Sequence, residues 1–292
     1  MILFFIIFFV LEKSALFLLD AAPKREYDTR LEQLINGTIN KDLIVLGSSR
    51  GAGNILAEQL EQDTGLSSYN LSYQGTDIIF HEFILESLIK YNKAPKYVLL
   101  NIDSPTAFLE SNSIIFRTDV LLPYTKYNYI NSKLVEVAAN NPLSSIFFTL
   151  RLNRNHFKYS NKVAREENPL DAFGSMPLLK NKKHGLVYSD KNQPYDKNKE
   201  QASKLSALKN IQDICNKNNI KLTYVISPSF RAFSTNFYKR LAKLSKSENH
   251  IFVYDSTNPV YKNEDYFYDA AHLMKNGAQI FTSEISKFIK QK

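Results

Sequence analysis

The stretch Asp42–Asn54, DLIVLGSSRGAGN, sets the tightest limit on what this chain can fold into. Four aliphatic residues, Leu43 to Leu46, run without interruption. The chain then breaks into Gly47-Ser48-Ser49-Arg50-Gly51-Ala52-Gly53, and leads into an amphipathic pattern, Ile55-Leu56 to Leu60. A short continuous apolar run bounded by turn residues reads as a buried strand, and the residues after it read as a tight turn and a helix. Open parallel sheets bind ligands beyond the carboxyl ends of their strands. A hydroxyl in this turn is therefore well placed for chemistry, with helix N–H groups nearby to receive negative charge.

Three readings of the turn compete. In the first, Ser and Gly are only turn residues. The second is a phosphate-binding loop, but the Gly-Lys-Ser/Thr ending is missing and Gly47, Gly51 and Gly53 miss the dinucleotide spacing. The third is a nucleophilic serine on a sharp strand-to-helix turn, which needs a base and an orienting carboxylate from elsewhere.

The rest of the chain alternates in the same way. Asn54 to Gln62 reads as the first helix, with Gly65 as its stop, and Ser67–Leu71 as a second strand ending in Ser72-Tyr73-Gln74-Gly75-Thr76. Asp77 caps a helix to about Tyr91, and Lys96–Asp103 is a third strand ended by Pro105. Strands alternating with helices at this spacing predict a parallel α/β sheet with right-handed crossovers. The alternation lapses over about 104–200, which reads as a large, mainly helical insertion with helices at Tyr127–Ala139 and Leu143–Phe157. Beyond them lies a polar, basic part, with Lys180 to Lys183 and Asn192 to Lys199. Its tyrosines and basic residues suit either simple packing under a solvated face or a groove for sugar or polyanion. Regularity returns with a helix over Glu200–Lys217, a strand Lys221–Ile226, a helix Ala232–Leu244, a strand Ile251–Tyr254 and a closing helix Lys275–Lys290.

The chain has 292 residues, enough for one substantial core with an elaborated insertion. Its formal charge of +8 favours acidic surfaces such as anionic lipid or acidic polymer. The basic residues are dispersed and no nucleic-acid motif is present, so no nucleic-acid partner is expected. A single cysteine, Cys215, excludes an internal disulfide framework and lies in a helical pattern as a small buried hydrophobe. The abundance of Lys, Asn and Ile is that of an AT-rich bacterial genome.

Met1 to Val10, MILFFIIFFV, is wholly apolar; Glu12-Lys13-Ser14 separates it from a second run, Ala15 to Leu19. A spanning helix needs about 20 apolar residues. No basic residue precedes the run, as one would in a signal peptide. The alternatives are a buried core helix and a membrane anchor over 1–23, shortened by a start codon placed too late. The anchor is the expectation, with 24–41 as linker and 42–292 as the α/β domain. That domain then lies on the extracytoplasmic side of the cytoplasmic membrane.

Near the other end stands Asp269-Ala270-Ala271-His272. On a helical turn, residues three apart share a face, and a histidine beside a carboxylate serves as general base with its tautomer held. His81, His156, His184 and His250 have no Asp three residues before them. No metal-ligand spacing is present, so neither metal nor cofactor is expected.

With the serine turn and this Asp-x-x-His pair established, the chain resembles the SGNH (GDSL-like) hydrolase superfamily. It is most similar to the superfamily's membrane-anchored branch, the lipoteichoic-acid D-alanyl transfer and alginate-type polysaccharide O-acetylation proteins. Gly47-Ser48-Ser49 matches the first block and puts the nucleophile on Ser49. The glycine after the second strand is Gly75, and Asp269 and His272 match the last block. The third block, Gly-x-Asn-Asp, is absent; the chain has Leu100-Asn101-Ile102-Asp103, with Asn101 the nearest candidate. The resemblance implies a flavodoxin-like three-layer sheet and a serine-dependent esterase or O-acyltransferase acting on envelope or exported polysaccharide. Its triad is Ser49, Asp269 and His272, its oxyanion hole Ser49, Gly75 and Asn101, with Arg50 drawing in an anionic substrate. A membrane-bound acyltransferase is the implied partner. The alternative is a non-catalytic envelope protein that binds glycan or such a partner.

Overall fold

Among the described residues, five strands form one sheet in the order β2-β1-β3-β4-β5, and every neighbouring pair is parallel. They are β1 Leu43–Leu46, β2 Ser68–Asn70, β3 Tyr97–Asn101, β4 Lys221–Ile226 and β5 His250–Val253. The structure, a computed structural model, describes residues 1–180 and 185–292. Of the basic run Lys180 to Lys183, only Lys180 lies within that range, and His184 lies outside it.

The chain divides into two units: residues 1–32 with 117–164, and residues 33–116 with 165–292. The sheet belongs to the second. β1 pairs with β2 on one side (Ile44 opposite Tyr69) and with β3 on the other (Ile44 opposite Val98). The strand order therefore switches direction at β1, which puts the turn after β1 at the crevice where parallel sheets bind ligands.

All four residues of β1 are buried, as expected for a strand covered on both faces. Because side chains alternate along a strand, Leu43, Val45 and Leu99 share one face, where they join Leu60, Phe281 and Ile285 in the main apolar cluster. The helix Lys275–Lys290 packs there against Ala57–Thr64; Ile78–Tyr91 and Ala202–Lys217 pack against each other. Gly65 ends its helix at φ +74°, and Asp77 caps the next by accepting from Phe80 N–H.

One helix expected over Asn54–Gln62 is two, Ser49–Asn54 and Ala57–Thr64. The break at Ile55–Leu56 frees backbone groups, and buried side chains take them up. Asn70 Nδ2 donates to the carbonyls of Gly51 and Ile55, both at 2.9 Å, and Thr282 Oγ1 accepts from Leu56 N–H at 3.1 Å. Ser49 thereby becomes the first residue of its own helix.

In the other unit, the apolar helix runs over Ile2–Ala21 and is long and apolar enough to cross a membrane. Buried Arg30 pairs with Asp28 at 2.7 Å. A helix covers Asn128–Glu136. The helix expected over Leu143–Phe157 is replaced by three short 3-10 turns, Pro142–Ser145, Phe148–Arg151 and Arg154–Phe157. Side chains compete for the backbone here. Buried Arg151 donates from Nε to the Ser144 carbonyl at 2.7 Å, and Asn153 caps the last turn. The segment 104–200 is thus shared between the units, and among its described residues α-helix is confined to 118–136.

Candidate active site

The site is assembled at the carboxyl ends of β1, β2 and β3. Ser49 Oγ lies 2.8 Å from His272 Nε2 across 223 residues of sequence. On the far side of the ring, His272 Nδ1 is 2.9 Å from Asp269 Oδ1 and 3.0 Å from Oδ2. A carboxylate at Nδ1 fixes the tautomer with the proton on Nδ1, so Nε2 faces the serine as an acceptor.

Asp269 and His272 are not on a helix. Asp269 Oδ1 accepts from the N–H groups of Ala271 (2.8 Å) and His272 (2.9 Å), closing a side-chain turn just before the helix Lys275–Lys290. Those same bonds set the acidity of Asp269. Burial pulls its pKa up. The hydrogen bond from the His272 ring, the charge of that ring and the two N–H groups outweigh burial and hold the carboxyl down at about 2.

The turn after β1 requires glycine because other groups come close. A Cβ on Gly47 would meet Asn101 Cβ at 2.8 Å, and one on Gly51 would meet Ser72 Oγ at 2.6 Å. Gly75 sits at φ +70°, the left-handed region that suits glycine. The turn around it is tied down by Thr76, whose hydroxyl donates to the Tyr73 carbonyl at 2.6 Å and lies 3.1 Å from His81 Nε2. Burial drives the pKa of His81 to about 3, so this histidine is a neutral structural group.

Ser49, Gly75, Arg50 and His272 line one cleft of about 340 Å³, with Asp103 and Arg231 also on its wall. A wider groove of about 620 Å³ runs between the helices Ala57–Thr64 and Lys275–Lys290, but no histidine lines it. The smaller cleft is where hydroxyl, imidazole and carboxyl side chains come together, in Ser49, His272 and Asp103.

Two expected residues are placed differently. Asn101 does not line the cleft. It ends β3 opposite Val225, is buried, and its Nδ2 donates to the Val225 carbonyl at 3.2 Å and to Ser227 Oγ at 2.6 Å. Its amide NH2 is spent on the β3–β4 pairing, so of the three residues expected at an oxyanion hole only Ser49 and Gly75 line the cleft. Arg50 reaches the cleft, but it is only 6% exposed and its guanidinium is engaged. It donates to the carbonyls of Ser104 (3.4 Å), Ser227 (2.5 Å) and Pro228 (3.1 Å), bracing the loops after β3 and β4. Arg231, half-buried, is the other cation of the wall.

Asp103 is the residue that sequence reasoning passed over. It is buried, lines the cleft and has one carboxyl oxygen without a hydrogen-bond partner. Burial pushes its pKa up, and Arg50, Ser48 and His272 offset this only in part. The available signal was its place: a carboxyl just past the end of the third strand, at the same sheet edge as Ser49 and Gly75.

Among the described residues, no group of three or more His, Cys, Asp or Glu side chains is arranged to hold a metal ion. Comparison with known proteins finds no family model and no curated protein that matches this chain.

Proposed function

We propose that this chain is a serine-dependent esterase or O-acyltransferase of the SGNH type, acting on envelope or exported polysaccharide. The observation that carries this reading is the unbroken relay from Ser49 Oγ to His272 Nε2 and from His272 Nδ1 to Asp269. A serine hydroxyl alone is a weak nucleophile; one bonded to an imidazole that a carboxylate orients is activated. The strand order β2-β1-β3-β4-β5 is that of flavodoxin-like doubly wound sheets, which supports the same family.

In the proposed reaction, Ser49 Oγ attacks an ester carbonyl while its proton passes to His272 Nε2. The N–H groups of Ser49 and Gly75 receive the negative charge that develops on the carbonyl oxygen, a contribution of about 10²–10³ in rate per donor in related chemistry. Collapse of the tetrahedral intermediate breaks the ester bond, and the imidazolium returns its proton to the departing alcohol. Water or a sugar hydroxyl then attacks the acyl-serine, giving its proton to His272 Nε2; the bond from the acyl carbon to Ser49 Oγ breaks, and the imidazolium returns the proton to Ser49. Asp269 holds the ring and balances its charge throughout. The apolar helix Ile2–Ala21 fits a membrane anchor for an enzyme of this kind, with a membrane-bound acyltransferase as acyl donor.

A fluorophosphonate probe tests the reading. Wild-type protein should be labelled on Ser49, and Ser49→Ala should be neither labelled nor able to hydrolyse a nitrophenyl acetate while keeping its fold. The position of Asn101, turned away from the cleft, favours the second reading, a glycan- or partner-binding protein without catalysis. An unlabelled, well-folded wild type decides for it.

A further inference from the structure

Exposed apolar surface is concentrated in one unit. Among the described residues, every large exposed apolar side chain except Ile115, Leu179 and Val187 lies within residues 1–32 and 117–164. Part of it is the helix itself, exposed along Ile2–Leu11. The remainder includes a second stretch, Leu143 (53% exposed), Ile146 (68%), Leu150 (38%) and Phe157 (53%), with Phe17, Tyr27, Tyr159 and Val163 exposed outside it.

This second stretch is fastened to the helix at the end of its exposed run. The Phe147 ring meets Phe8 edge-on at 5.9 Å. Glu12, the first charge after the apolar run, accepts from Phe148 N–H (2.8 Å), Thr149 N–H (3.2 Å) and Thr149 Oγ1 (2.6 Å). Further along, Ala15 and Leu19 are buried. The stretch is a built surface. Arg151 is 2% exposed, holds the Ser144 carbonyl and lies 4.5 Å from the Phe148 ring. Aliphatic side chains held outward on a turn braced by a buried arginine, beside a membrane-length helix, form the kind of exposed apolar patch that marks an interaction surface.

Charge indicates what covers it. Residues 143–164 contain two Arg, two Lys and no acidic residue. Arg151 is internal and Lys162 pairs with Glu26. Arg154 and Lys158 are exposed, as are Lys13 and Lys24 on the helix side, against one exposed acid there, Asp20. Aliphatic side chains flanked by exposed cations match the boundary of an anionic bilayer, where apolar groups enter the acyl region and cations meet headgroups.

The helix exposed over Ile2–Leu11 is about 15 Å long at 1.5 Å per residue, about half the hydrocarbon thickness of a bilayer. A membrane around that helix therefore reaches down to the level of Phe8 and Glu12, the level of the second stretch. We propose that Leu143–Leu150 is a second membrane-contacting element, seated at the headgroup–acyl boundary of an anionic phospholipid bilayer beside the helix. This rests on the helix being in the membrane, so the test reads both.

The chain contains no tryptophan, so a single introduced indole reports without background. The full-length chain carrying Ile146→Trp, Leu143→Trp or Phe5→Trp is reconstituted into phosphatidylethanolamine–phosphatidylglycerol vesicles, with and without brominated acyl chains. Phe5→Trp and both turn reporters should lose about half or more of their emission to the brominated lipid, and the turn reporters should be shielded from acrylamide. Quenching at Phe5→Trp but at neither turn position overturns the second contact and leaves the helix in the membrane. No quenching at any position overturns both. Blue-shifted but unquenched turn reporters identify a protein surface as the occupant and overturn the lipid assignment.

Discussion

Asn54 Oδ1 accepts a hydrogen bond from the backbone N–H of Leu273 at 3.0 Å. Asn54 ends the helix that Ser49 begins, and Leu273 comes directly after His272, so this bond ties the helix of Ser49 to the loop of His272. Asn54 is fully buried. Asn54→Ala leaves the Leu273 N–H buried without an acceptor, at a cost of about 1–3 kcal/mol. It also frees the imidazole to drift from Ser49. Small misplacements of reacting groups cost up to about 100-fold in rate, so labelling of Ser49 by a fluorophosphonate should slow by about ten- to a hundredfold. A slowed reaction with little loss of denaturation midpoint identifies positioning. Labelling at the wild-type rate refutes the link.

Asp269 makes a specific pH prediction. Its carboxyl is held at about 2, against an ordinary value of 3.8. A depressed folded-state pKa stabilises the fold fully above the ordinary value, and that contribution disappears as pH falls through about 2. The side chain is 35% exposed, so solvent screening reduces its worth to about 1 kcal/mol. Denaturant unfolding of wild type and Asp269→Asn should therefore differ most above pH 4, and the gap should close between about pH 4 and pH 2. A gap that stays constant over that range shows that the Asp269–His272 pair carries none of it.

Arg50 holds three carbonyls from two loops, and lysine cannot reproduce that fork. A single ammonium on a flexible stem cannot span the carbonyls of Ser104, Ser227 and Pro228 as the planar guanidinium does. Arg50→Lys keeps the charge and should still cost about 2 kcal/mol, because buried carbonyls lose their donors. The measurement is the denaturation midpoint of the full chain. An unchanged midpoint contradicts the bracing role and returns Arg50 to the substrate side.

Local patterns made part of this fold legible. The apolar run Leu43–Leu46, the stop at Gly65 and the cap at Asp77 are each decided by a few adjacent residues, and each lies where the sequence indicated. That Ser49 and His272 belong together was implied by the resemblance of their two short blocks to a known family; the rule that ligands bind beyond the carboxyl ends of parallel strands gave only the edge at which Ser49 would lie. Features fixed by distant partners were not legible. The helix break at Ile55 depends on Asn70 and Thr282, and the broken stretch 142–157 depends on the buried Arg151. Asp103 was hidden for a related reason: its neighbours Ser48, Arg50 and His272 come from both ends of the chain.

The direction of Asn101 was also set at a distance, by the register that puts it opposite Val225. Its amide donates to Val225 and Ser227 and is absent from the cleft wall. Two roles therefore make opposite predictions for Asn101→Ala. An oxyanion donor lost from a working site costs about 10²–10³ in rate. A brace lost from the sheet edge costs about 1–2 kcal/mol of stability and leaves the reaction nearly intact. The geometry requires the second outcome: a lower denaturation midpoint, with fluorophosphonate labelling of Ser49 within about threefold of wild type, well short of the loss expected for a donor. Gly75 is the contrasting position. It belongs to the cleft wall and its φ of +70° resists a side chain, so Gly75→Ala should impair labelling far more than Asn101→Ala does. If the two variants exchange these behaviours, the oxyanion hole is built from the Asn101 amide after all, and that side chain must turn into the cleft when substrate binds.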